Sequence, residues 1–135
     1  MINVALVADS GAAMEAMTRS LSTLPRVNIV RHCHGHAPIA PALTRFAPDL
    51  VLVDEMGWAR LALQRIAEIR ETLPLARIVV RAERPEAGWL ADALRAGASA
   101  VVPATAGPET FGLVLAEVIY ERELAGHGES AALAA

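Results

Sequence analysis

The sequence predicts an α/β fold: a doubly wound (βα)5 sandwich of three layers around one parallel sheet. Three observations predict it. Five short apolar runs alternate with five segments of helical period. The run Leu50–Val53 is apolar on both faces, as a central strand covered by helices must be. The connections are short and carry proline, glycine or small polar residues, which suits right-handed crossovers between parallel strands.

Each element has its own signal. Val4–Ala8 is a compact apolar run ending at Asp9-Ser10-Gly11, with Ser10 as a helix N-cap. Met14, Met17, Leu21 and Leu24 recur at spacings of three and four and mark a one-faced helix that Pro25 stops. Val27–Val30 is a second strand, and Arg31-His32-Cys33-His34-Gly35-His36 follows it. Pro38 and Pro41 frame a short helix with Ile39, Leu43 and Phe46 inward. The central strand then runs from Leu50 to Asp54.

Leu61, Ile66, Ile69 and Leu73 mark a third helix, ended by Pro74. Ile78–Val80 is the fourth strand. Pro85 fits the first turn of a fourth helix, with Trp89, Leu90 and Leu94 on one side and Gly97 as its left-handed cap. Ala100–Val102 is a short fifth strand cut off by Pro103. The last helix opens at Gly107-Pro108-Glu109 and buries Phe111, Val114, Leu115, Val118 and Ile119. Residues 1–124 are expected to form one domain and 125–135 a tail or linker.

Composition narrows the class. The 135 residues are 54% hydrophobic, which excludes a disordered chain. No apolar run reaches the roughly 18 residues of a membrane span, and the start lacks a basic leader segment. A cytoplasmic protein without membrane contact is the expectation. Cys33 is the single cysteine, so no intrachain disulfide can form. The net charge of −3 offers no overall basic surface to nucleic acid. All 12 basic residues are arginine.

Asp54 ends the most buried strand, and in open parallel sheets sites form at the carboxyl ends of strands. Its alternative role is to cap a neighbouring turn. His32, Cys33, His34 and His36 carry ligands suited to zinc, nickel or copper. They form one continuous tract, unlike the separated ligand pairs of a structural zinc site, and the competing reading is a polar strand end with Cys33 half-buried. No glycine-rich phosphate loop and no serine or cysteine nucleophile with a spaced base is present, so a metabolic enzyme is not expected.

Pro48-Asp49-Leu50-Val51-Leu52-Val53-Asp54, Leu94-Arg95-Ala96-Gly97-Ala98-Ser99 and Val102-Pro103 with Thr105 to Glu109 resemble the receiver domain of two-component response regulators. The resemblance covers residues 2 to about 124 and is nearest to receivers that precede a helix-turn-helix domain. It implies a flavodoxin-like fold with strand order 2-1-3-4-5. It also implies that Asp54 stands at the phosphoacceptor. The family's Mg2+ would meet Asp9, Asp54 and the Met56 carbonyl, with Ala8 in place of a second acid.

Other parts of the family's site are replaced. The phosphate-neutralising lysine falls on Ala104, the hydroxyl residue on Arg81 (Ala82 after a one-residue slip) and the switch aromatic on Val101. A lost charge-assisted contact to a buried anion costs about 1.5–3 kcal/mol. Arg81 is thus a candidate partner for an anion or for the Asp54 or Asp9 carboxylate, or else points to solvent.

The resulting expectation is an atypical receiver that acts through protein contacts, requires no cofactor and switches weakly or not at all with phosphate. The alternatives are a receiver phosphorylated on Asp54 with Mg2+, by a histidine kinase or a small donor, and a metal or small-ligand sensor using the histidine tract. A homodimer or protein partner is expected on the fourth helix, fifth strand and fifth helix, through Trp89, Phe111, Leu113 and Tyr120.

Overall fold

The structure, a computed structural model, describes residues 1–120. Five strands and five helices alternate along them. In chain order they are β1 (Ile2–Ala8), α1 (Gly11–Leu21), β2 (Val27–His34), α2 (Ala40–Phe46), β3 (Leu50–Asp54), α3 (Ala59–Thr72), β4 (Arg77–Ala82), α4 (Ala87–Ala96) and β5 (Ala100–Pro103). A fifth helix, α5, covers 108–120. The expected tail at 125–135 and the boundary at 124 lie outside the described residues.

All strands pair in parallel in the order β2-β1-β3-β4-β5. This is the doubly wound arrangement, with helices on both faces. Every residue of β3 is buried, as the apolar run required. Its alternate side chains feed two cores. Val51 and Val53 join Ile39, Leu43, Ile66, Ile69 and Val80 on the α2–α3–α4 side. Leu50 and Leu52 join Met17, Leu21, Phe111 and Leu115 on the α1–α5 side.

Local signals set the boundaries. Ser10 Oγ accepts the Ala13 amide at 3.2 Å and caps α1. Gly97, at φ +126°, ends α4 and lets the chain turn into β5. A Cβ there would lie 2.7 Å from Arg70 Nε, so the glycine also makes room for an arginine. Arg70 Nη1 bonds the carbonyls of Pro74 (2.8 Å) and Ala76 (2.7 Å), and Nη2 bonds that of Gly97 (2.6 Å). One side chain thereby fastens the ends of α3 and α4 together.

Four expectations need correction. β2 runs on to His34, so His32, Cys33 and His34 belong to the strand. Pro85 precedes α4, which starts at Ala87 with Glu86 at its N-cap. The buried residue of α4 is Ala93, while Leu94 is 53% exposed. Phe111 is core and not surface, and Trp89 is half-buried with its Nε1 donating to the Ala59 carbonyl at 3.0 Å.

Candidate functional site

The carboxyl ends of β1, β3, β4 and β5 open onto one cleft of about 540 Å³. Asp9 and Ser10 line it from β1, Asp54 and Met56 from β3, Arg81 from β4, and Ala104 and Thr105 from β5. This placement follows from topology: parallel strands present all their carboxyl ends on the same edge of the sheet.

Asp54 sits at the floor and is buried. Both of its oxygens are engaged. Oδ1 accepts Arg81 Nη1 at 3.0 Å, and Oδ2 accepts the Met56 amide at 3.0 Å. Asp54 and Arg81 are register partners in the β3–β4 pair. Register partners in a parallel pair present their side chains on the same face, a strand's width apart. The arginine therefore reaches the carboxylate without leaving its strand. Ala82, the residue one slip away, is fully buried and pairs with Pro103 instead.

Ala104 brings only a methyl group to the cleft, and Val101 pairs with Val80 one strand in. The cation facing Asp54 thus comes from β4. Glu55 and Glu83 add carboxylates at the rim, where Glu55 Oε1 accepts the Glu83 amide at 2.5 Å.

Asp9 faces the cleft from the other side. Its Oδ2 lies 3.1 Å from His36 Nε2. Neither residue signalled this pair in the sequence, since they stand 27 positions apart. It arises because β1 and β2 are neighbours and Gly35 donates its amide to the Ala8 carbonyl at 3.0 Å, bringing the turn after β2 beside Asp9.

The histidine tract does not converge. Cys33 points into the core among Val7, Val53 and Met56. Burial pushes its thiol pKa upward, with nearby Arg31 acting against that rise. His32 and His34 are exposed, and the His34 and His36 ring centroids are 5.5 Å apart. Among the described residues, no three histidine, cysteine, aspartate or glutamate side chains gather in a geometry that holds a metal ion.

Cleft, strand order and Asp54 at the end of β3 define a class: the fold is that of the response-regulator receiver domain. A pilus assembly protein of the CpaE type from Burkholderia thailandensis superposes with a TM-score of 0.76 at 19% identity, over 89% of this chain and 99% of that one. A LuxR-family response regulator from Aurantimonas sp. gives 0.76 at 20% identity, over 90% and 87%. The response-regulator domain of CheB from Thermotoga maritima gives 0.69 at 22% identity, over 92% and 95%. No protein-family model and no curated protein matches the sequence.

Proposed function

We propose that this chain is an atypical receiver module of two-component-type signalling, working by protein contacts without a phosphate switch. The observation that carries the reading is the Arg81–Asp54 ion pair at 3.0 Å. A receiver's phosphoacceptor must be free to attack and must face cations that neutralise the incoming phosphoryl group. Here the carboxylate already carries a guanidinium on one oxygen and a backbone amide on the other. The β5 position that the resemblance assigns to a lysine is Ala104.

The donor set also does not fit a divalent ion. Mg2+ demands near-ideal octahedral oxygen coordination. Asp54 would have to surrender Arg81, and Asp9 would have to surrender His36. Ala8 supplies no third carboxylate. The reading needs no cofactor and assigns the module no enzymatic activity of its own.

Protein contact has visible candidates. Leu113 and Tyr120 are 71% and 62% exposed and lie two turns apart on α5, so they share one face. Leu94 on α4 is exposed too. This apolar surface on α4 and α5 supports a homodimer through α4, β5 and α5, and the reading places the domain in the cytoplasm without membrane or nucleic-acid contact. No helix of the described residues is long and apolar enough to cross a membrane.

Intact-mass measurement after incubation with acetyl phosphate and Mg2+ tests the reading. An unmodified chain is expected. A phosphoryl adduct lost in Asp54→Asn would replace the proposal with a phosphorylatable receiver.

A further inference from the structure

We propose that Met56, seated against Gly35, couples the state of the Asp54 carboxylate to the exposed turn at His34 and His36 and to the start of α2. The proposal rests on the reading of Asp54 as the charged centre of the site.

Met56 is held in an uncommon conformation. Its φ is +62°, a left-handed value that side-chain-bearing residues avoid. Two contacts hold it there. Its amide donates to Asp54 Oδ2 at 3.0 Å. Its side chain, 5% exposed, fills the space above Gly35, where an added Cβ would collide with the Met56 Sδ. Gly35 thus seats the thioether, and a side chain there would displace the Met56 Sδ and Cε from their present place.

From that seat, contacts continue outward without a gap. The Gly35 carbonyl accepts Arg65 Nε at 2.7 Å, and Arg65 Nη1 pairs with Glu68 Oε2 at 2.7 Å. Glu68 Oε1 accepts the amides of Ile39 at 3.0 Å and Ala40 at 2.9 Å, where α2 begins. On the other side of Gly35, His36 bonds Asp9. On the β5 side, Val101 and Ala104 carry neither a hydroxyl nor a charge, and Thr105 lines the cleft without a hydrogen bond to Asp54.

In this coupling the Met56 turn moves between two arrangements, of which the structure holds the first. With Asp54 Oδ2 accepting its amide, the turn is left-handed and the thioether is seated. Without that acceptor, the backbone relaxes, the thioether leaves Gly35 and the histidine turn loses its backing.

The test is amide exchange and histidine-ring NMR on the full chain, in wild type, Asp54→Ala, Met56→Ala, Met56→Leu and the Asp54→Ala/Met56→Ala double variant. Asp54→Ala should speed exchange at the Gly35 amide about tenfold and shift the His34 and His36 rings, while the β3 amides stay protected. Met56→Ala alone should do the same, Met56→Leu should not, and the double variant should add nothing at Gly35. If Asp54→Ala does not fold, the two Met56 variants still decide. Met56→Ala with an unmoved Gly35 overturns the proposal. So does an Asp54→Ala response confined to Met56, or one appearing at Val101 and Ala104 instead. Phosphorylation of wild-type Asp54 would sink the functional reading and leave the joint standing. An unmoved Gly35 would sink the joint and leave the ion pair standing.

Discussion

Arg81 Nη1 donates to Asp54 Oδ1 at 3.0 Å across the β3–β4 pair, in which the two residues are register partners. Their side chains are 24% and 12% exposed, so the pair is only partly screened by water. A guanidinium so placed balances the carboxylate from within the chain. It gives the site the charge balance that phosphoryl chemistry would need from a metal ion and a lysine.

Removing the arginine leaves a buried carboxylate without its cation. Arg81→Ala should destabilise the fold by about 1–3 kcal/mol, below the full penalty of a fully buried pair because Arg81 is partly solvated. Asp54→Asn in the Arg81→Ala background should recover part of that loss. Urea unfolding of the four-member cycle reads the coupling, and additive effects would show that the two residues do not interact.

Gly97 and Arg70 make a second prediction, at the opposite end of the sheet. Gly97→Ala forces a side chain into φ +126° and onto Arg70. A loss of about 2–4 kcal/mol is expected, seen as a lower melting temperature. Arg70→Ala frees the carbonyls of Pro74, Ala76 and Gly97 and should cost about 1.5–3 kcal/mol. The Arg70 pKa is lowered, first by burial and then by repulsion from Arg77, yet an arginine so shifted stays protonated at neutral pH.

Cys33 sets a pH dependence. Its folded pKa is raised above 9.0, chiefly by desolvation. Between the unfolded and folded values the native state holds the proton that the unfolded chain releases. Its contribution to stability is therefore complete below pH 9 and falls as pH rises through the folded pKa. Alkylation of the native protein at neutral pH should be far slower than that of a free thiol. Cys33→Ala should remove this share of the alkaline loss, and an unchanged alkaline limb would contradict it.

Dimerisation through α5 is testable by sedimentation. Leu113→Glu combined with Tyr120→Glu should convert a dimer at high micromolar concentration to monomer without lowering stability, since both residues are exposed. A wild-type protein that stays monomeric there would remove the dimer.

The fold was legible because its signals are local. The double-faced apolar run at Leu50–Val53 marks a central strand, and Met17–Leu21 and Leu115–Val118 show one-faced helices by spacing alone. Errors arose where burial and polarity part company. β2 is an edge strand, so Arg31, His32 and His34 are exposed within it and hide its length. On α4 the buried residue is Ala93, too small to weigh in a hydrophobic period, while Leu94, on the side shared with Trp89 and Leu90, is exposed. Phe111 belongs to the buried stripe of α5 and packs in the cluster with Leu50 and Leu52, so the expectation that it also serves at an interface does not hold.

The candidate site was half legible. Asp54 is placed by its position at a strand end, while Asp9, Arg81 and Ala104 are placed at the cleft by the resemblance to receiver domains. Whether Arg81 turns toward Asp54 depends on the β3–β4 register, which joins residues 27 positions apart. The His36–Asp9 contact and the Met56–Gly35 seat are likewise products of strand pairing. Gly35 between two histidines was the one visible hint, since a glycine inside a polar tract can mark a close approach by another part of the chain.

Beryllofluoride, a stable mimic of a phosphoryl group on aspartate, tests the central claim most directly. Fluorine NMR of the wild-type protein with beryllofluoride and Mg2+ should show no protein-bound signal, because Arg81 and the Met56 amide already hold both Asp54 oxygens. A saturable bound signal that disappears in Asp54→Asn would show that the ion pair opens to admit the phosphoryl mimic, and would contradict the account.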